Sequence, residues 1–165
     1  MSQALAIPEK HGGELADRSS VRIWLRLFSC TMTIEKIVQR RLTEQFSTTL
    51  PRFDVMAALE RRPDGMAMGE LSRALLVSNG NVTAIVQKLA KDGHVTIAPL
   101  PSDRRTQIVR LTQGGESHFA ELAKAHHDWI DGLLAALRLA EREALYEGLG
   151  HLKRSLGEAA RKESM

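Results

Sequence analysis

The hydrophobic period of this chain changes from helical to alternating around Gly93, and nothing else in the sequence restricts its fold as much. From Asn79 to Asp92, apolar Val82, Ile85, Val86 and Leu89 recur at threes and fours, the stripe of a helix that Gly93 would end. Directly after it, Val95 and Ile97 alternate with His94, Thr96 and Ala98, and Gln107, Val109 and Leu111 alternate with Ile108 and Arg110. Two such runs with a period of two predict a β-hairpin. Its tip, Pro99-Leu100-Pro101-Ser102-Asp103-Arg104-Arg105, is longer than a two-residue turn and should project from the body. Ahead of these lies a shorter helical pattern through Met68, Leu71 and Leu75, a break at Leu76-Val77, and Ser78 at the N-cap position. Two short helices followed by a hairpin make a winged helix-turn-helix.

The flanks also read as helices, so the fold class is mainly α with a small β-hairpin wing. Ile23, Trp24, Leu27, Phe28, Ile34, Ile37, Val38 and Leu42 form one long stripe, which Leu50-Pro51 interrupts. Pro51 suits the first turn of a helix carrying Phe53, Met56 and Leu59, and Arg62-Pro63-Asp64-Gly65 is a turn by composition. Thr112 can cap a long helix running through Phe119, Leu122, Trp129, Leu133 and Leu137, and Leu145, Leu149, Leu152 and Leu156 form a coiled-coil-like seam on a last one. The expected organisation is a flexible arm over residues 1–19, an N-terminal dimerisation helix over 20–50, the winged lobe over 51–112 and C-terminal dimerisation helices over 113–165, together one compact domain. The long outer helices are too apolar to stand alone in water, and the same helices of a second copy would cover them in a C2 homodimer.

Several function classes drop out. No stretch of the 165 residues approaches the ~18 uncharged apolar residues of a membrane span, and residues 1–11 lack the apolar core of a secretory leader. Cys30, the single cysteine, forms no internal disulfide and fits a reducing cytoplasm, where it is expected as a buried, inert thiol. The histidines show no metal-ligand spacing, and neighbouring His126 and His127 point about 100° apart on a helix. Gly114-Gly115 lacks the other glycines of a nucleotide fingerprint, and no nucleophile motif is present. Neither an enzyme nor a metal or cofactor is expected.

What remains is a binding function. Residues 51–112 hold nine Lys/Arg against six Asp/Glu, whereas residues 113–165 hold seven against nine. A basic middle suits a polyanion, although a solvated surface would have the same composition. With its apolar stripe turned inward, the helix from Asn79 would direct Gly80, Ala84, Gln87 and Lys91 outward, flanked by Asn81, Thr83 and Lys88. Small residues admit a close backbone approach, and Asn and Gln both donate to and accept from base edges. Ser78 and Asn79 sit at the positive helix end, suited to a phosphate. Arg104 and Arg105 on the hairpin tip could enter a minor groove. An ordinary amphipathic helix and a charged turn would look alike at this level.

Leu71-Ser72, the run from Val77 to Thr83, Leu89-Ala90-Lys91-Asp92-Gly93, and Ser102-Asp103-Arg104-Arg105 leading to Val109-Arg110-Leu111-Thr112 resemble the MarR family of bacterial transcriptional regulators over about residues 20–160. The resemblance implies a homodimer that binds double-stranded operator DNA, often as a repressor released by a small ligand or by thiol oxidation. It also implies that Asp103 braces Arg105 for the minor groove. The block from Thr48 to Thr83 is similar to a branch that regulates aromatic-acid catabolism, some of whose members sense aromatic acyl-CoA thioesters. Effectors in the family commonly bind between the dimerisation helices and the winged lobe. Arg40, Arg41 and Arg52 with His126 and Trp129 are the residues that could clamp an anionic aromatic effector, a carboxylate or an acyl-CoA. Two alternatives stay open: a redox sensor acting through Cys30, and a winged-helix protein–protein interaction module with no DNA ligand.

Overall fold

A computed structural model describes residues 19–75, 79–100 and 102–163, without the side chains of Asn79, Arg104 and Glu163. Residues 1–18 of the arm expected over 1–19, the break at Leu76-Val77, the Ser78 cap and Pro101 lie outside the described residues, and Ser19 already belongs to a helix. The chain divides into two units, residues 1–127 and 128–165. The first holds α1 (Ser19–Phe46), α2 (Leu50–Glu60), β1 (Met66–Ala67), α3 (Met68–Leu75), α4 (Asn79–Lys91), β2 (Val95–Leu100), β3 (Asp103–Leu111) and the first turns of α5 (Gln113–Leu134). The second holds the end of α5 and α6 (Leu139–Glu163). No described helix is long and apolar enough to cross a membrane.

The core of the first unit follows the expected stripes. Val82, Val86 and Leu89 of α4 are fully buried with Val55, Met56 and Leu59 of α2, Leu71 of α3 and Val109 of β3. α2 packs against both α3 and α4, so the two short helices share one apolar support. Each fully buried side chain of this size contributes roughly 1.5–3 kcal/mol relative to exposure. From α1 only Val38 and Leu42 are buried, because only its C-terminal half reaches this core. The N-terminal half leaves Trp24, Phe28 and Met32 exposed, and Cys30 with them. The expectation of a buried thiol is therefore overturned in the protomer, where Cys30 is exposed.

The sheet differs from the expected hairpin in two ways. It has three strands in the order β1-β3-β2, because Met66 and Ala67 pair antiparallel with Val109 and Ile108. Two residues are too few to show a period, so this strand left no signal. Its pairing makes β3 the central strand, on which the neighbours Ile108 and Val109 are both buried. Ile97, on edge strand β2, is exposed despite its alternation. The tip is also shorter than its composition suggested. β2 and β3 stay in register from Val95–Leu111 to Pro99–Gln107; then Leu100 pairs with Asp103, so residues 104–106 form a bulge.

Helix ends are closed by specific bonds. α1 ends with Ser47 in the left-handed region at φ 50°, and Thr48 N–H reaches back to the Leu42 carbonyl at 3.3 Å. Gln39 then accepts the Leu50 N–H at 2.8 Å, supplying a partner to the uncapped start of α2. α4 ends in a Schellman motif: Gly93 has φ 78°, His94 N–H bonds the Leu89 carbonyl at 2.9 Å, and Gly93 N–H bonds that of Ala90 at 3.1 Å. In the second unit, Arg138 N–H donates to Glu141 Oε2 at 2.8 Å at the start of α6.

Thr112 joins three of these segments. Its hydroxyl donates to the Gly93 carbonyl at 2.7 Å and accepts the Gly115 N–H at 2.9 Å, while its own N–H bonds the His94 carbonyl at 3.0 Å. Gly115 can approach this closely only without a side chain, since a Cβ there would overlap the His94 carbonyl oxygen. Gly115→Ala is expected to lower stability by roughly 1–3 kcal/mol, the usual cost of overfilling a packed site. Urea unfolding should show a lower midpoint at unchanged slope. Gly114→Ala, whose Cβ would meet only the Thr112 hydroxyl at 3.8 Å, is expected to leave the midpoint unchanged or raised.

Candidate nucleic-acid interface

α4 has one buried and one open face. Opposite Val82, Val86 and Leu89, the residues Gly80, Asn81, Ala84, Gln87, Lys88 and Lys91 are exposed, with Thr83 half-buried beside them. A Cβ on Gly80 would meet nothing within 4 Å among the described residues. Lys88 and Lys91 form the basic last turn, which complements the negative end of the helix. The outward set is the one expected from the sequence, and it combines small residues, amides and cations on one rod.

The wing stands next to this rod, because β2 follows the Gly93 turn and packs against α4. Asp103 sits where β3 begins. Its carboxylate accepts the Arg105 backbone N–H at 3.1 Å and the Thr106 hydroxyl at 2.8 Å. It thus fixes the backbone of the bulge that carries Arg105, and the Arg105 side chain is exposed. Of Arg104, only the backbone in β3 is described. β1 contributes indirectly: Gly65, at φ 84°, brings the chain so close to β3 that a Cβ would lie 2.5 Å from the Val109 carbonyl oxygen.

The residues expected to hold an effector lie on α1, α2 and α5. Arg40 is exposed on α1 and Arg41 half-buried beside it. Arg52 forms an ion pair with Asp92, the residue after α4. His126 stacks on Phe53 at a ring separation of 4.7 Å, and Phe53 also meets Phe119 at 5.5 Å. Trp129 belongs to the second unit. Sequence reasoning missed two pockets of the first unit. One, of about 330 Å³, lies among Leu59, Pro63, Leu111, Glu116, Phe119 and Ala123. The other, of about 400 Å³, is lined by Phe53, Asp54, Ala57, Arg61, Met66 and Leu75. Asp54 has its pKa raised by burial and then by the Glu35 charge. Periodicity gave no sign of either, since both are gaps between elements rather than patterns within one.

Residues 46–106 match a family model described as MarR family. The chain is 33% identical over 105 residues to the transcriptional activatory protein BadR of Rhodopseudomonas palustris, covering 62% of this chain and 59% of that protein's length. The crystal structure of a MarR family transcriptional regulator from Silicibacter pomeroyi superposes with a TM-score of 0.74 at 30% identity, over 87% of this chain and 99% of that one. Sco3205, a MarR family transcriptional regulator from Streptomyces coelicolor solved in complex with DNA, shares the fold at TM-score 0.74 and 20% identity, over 91% of this chain and 92% of that one.

Two histidines add a pH dependence to this lobe. His94, at the root of the wing, stacks on His118 of α5 at 4.4 Å and 8°. Burial, then the charges of His118 and Arg52, lower its pKa, and Asp92 opposes them. Burial and then His127 lower that of His126. A lowered imidazole pKa means that the unfolded chain takes up the proton first. Their stabilising contribution is full above about 6.5, the ordinary value, and is lost as pH falls from there through the folded-state values. Thermal melts of the His94→Gln/His126→Gln variant are therefore expected to lose less stability between pH 7.5 and 5.5 than the parent.

Proposed function

Because the chain belongs to the MarR family of transcriptional regulators, we propose that it is a ligand-responsive, sequence-specific DNA-binding regulator that acts as a homodimer. Its relatives are regulators, not enzymes. The observation that carries this reading is the open face of α4, where Gly80, Ala84, Gln87 and Lys91 are exposed, together with the exposed Arg105 on the wing whose strand β2 packs against α4. In the proposed complex α4 enters a major groove, Gln87 and Asn81 address base edges, and Arg105 enters the adjoining minor groove. Two-fold symmetry then requires an inverted-repeat operator with half-sites about one helical turn, roughly 34 Å, apart.

Dimer formation is supported by what the protomer leaves uncovered. Trp24 is 59% exposed and stacks on Phe28 at 5.9 Å, continuing a stripe with Val21 and Met32; α6 separately exposes Leu145, Leu149 and Leu156. Burying such stripes against a second copy removes apolar surface from water. A dimer seated across a promoter would exclude polymerase, the repressor mode; BadR is named as an activator, and reporter expression with and without the gene separates the two. Such a DNA ligand implies a cytoplasmic protein.

The proposed effector is an anionic aromatic molecule, a free carboxylate or its CoA thioester, with Arg40 and Arg41 as candidate anion partners. It would act by changing the placement of the two reading heads, a coupling of typically ~1–3 kcal/mol. The exposed Cys30 favours a second reading, release by thiol oxidation. A Cys30→Ser protein still released by peroxide excludes that reading.

Arg105→Ala is expected to weaken operator binding by roughly tenfold or more in gel shifts while sedimentation still reports a dimer. Unchanged affinity removes the wing from the proposal. In a thermal-shift screen of aromatic acids and their CoA esters, a true effector should raise the melting temperature and displace the operator duplex.

A further inference from the structure

We infer that Arg52 is a positioning residue for DNA reading: through its ion pair with Asp92 it sets where the last turn of α4 stands. The inference rests on the proposed use of α4 as the reading helix. Val82, Val86 and Leu89 hold α4 in the core and Thr112 ties the Gly93 carbonyl beyond its end to β3 and α5, but neither contact links that end to α2 by a directional bond. The bond from Arg52 Nη2 to Asp92 Oδ2 is directional and ties the first turn of α2 to the residue that follows α4.

The pair is poorly built for stability alone. Arg52 occupies the third position of α2, at its positive end, and Asp92 follows the negative end of α4. Each charge is opposed by the dipole of its own helix and favoured by that of the other, so the dipoles add little net stability. The Arg52 Nε–H is also buried without an acceptor among the described residues. Apolar residues of similar size would avoid that unpartnered group and the desolvation of two charges. What they could not supply is a fixed orientation for the turn bearing Lys88 and Lys91. The Arg52 side chain is only 18% exposed, so it is withdrawn from direct phosphate contact.

The test uses the full-length protein and a duplex selected by the wild type from a randomised pool, with a scrambled duplex of equal length as reference. Anisotropy titrations over a range of salt give affinity and salt slope for each. Arg52→Met and Asp92→Asn are each expected to lower affinity for the selected duplex roughly tenfold, the scale of a directly coupled pair. Their binding to the scrambled duplex and their salt slopes should stay at the wild-type level, because no phosphate contact is lost. The double variant should be no weaker than the weaker single one, and Arg52→Lys should recover part of the loss. Should Arg52→Met fail to fold by circular dichroism, Asp92→Asn and Arg52→Lys decide alone. Wild-type affinity for the selected duplex in Asp92→Asn overturns the inference, as does an equal loss on both duplexes with a shallower slope. Failure of the wild type to select any duplex would instead overturn the DNA-binding reading itself.

Discussion

Thr112 makes its hydrogen bonds in three directions, and the geometry of the winged lobe depends on them. Its hydroxyl is tied to the carbonyl that ends α4 and to the N–H of Gly115 in α5, and its N–H to the carbonyl that begins the wing. The end of the reading helix, the root of the hairpin and the start of α5 therefore meet at one side chain. Each bond satisfies a terminal backbone group that would otherwise lack a partner, and together they give three elements one common origin. Gly115 allows this meeting by having no side chain, and the rings of His94 and His118 stack on each other between the wing root and α5.

Around that joint the division of labour is consistent. Apolar side chains provide the cohesion, and a small number of polar contacts provide the aim. Gln39 reaches from α1 to the first N–H of α2, Arg52 reaches from α2 to the end of α4, and Asp103 reaches along β3 to the Arg105 backbone. All of them lie where one element passes its direction to the next, so small errors there would be multiplied along the rods and strands that follow.

The sequence was most legible where one element carried its own period. The stripe of Val82, Val86 and Leu89 identified both the buried and the open face of α4, and Gly93 marked its end. The three-stranded sheet was less legible, because Met66 and Ala67 become a strand only through pairing with distant Val109 and Ile108. The bulge at residues 104–106 was hidden for the same reason: composition shows proline and charge, not which residue faces which. Cys30 was expected inside as a lone thiol on an apolar helix, yet the half of α1 that carries it extends past the core. The salt bridge of Arg52 joins residues forty apart, a contact that no local pattern encodes. Long-range pairing, rather than propensity, is where reading by periodicity stopped.

The register of the hairpin holds from Val95 to Pro99 and slips only at the last pair. Everything beyond that slip can change in number without disturbing the ladder beneath it. The finger is thus separable from its foundation: insertions or deletions at the bulge would alter how far its cation reaches, while the strands stay locked. A lineage could retune its grip on differently shaped grooves through that short stretch alone, leaving the load on the hydrophobic interior unaltered.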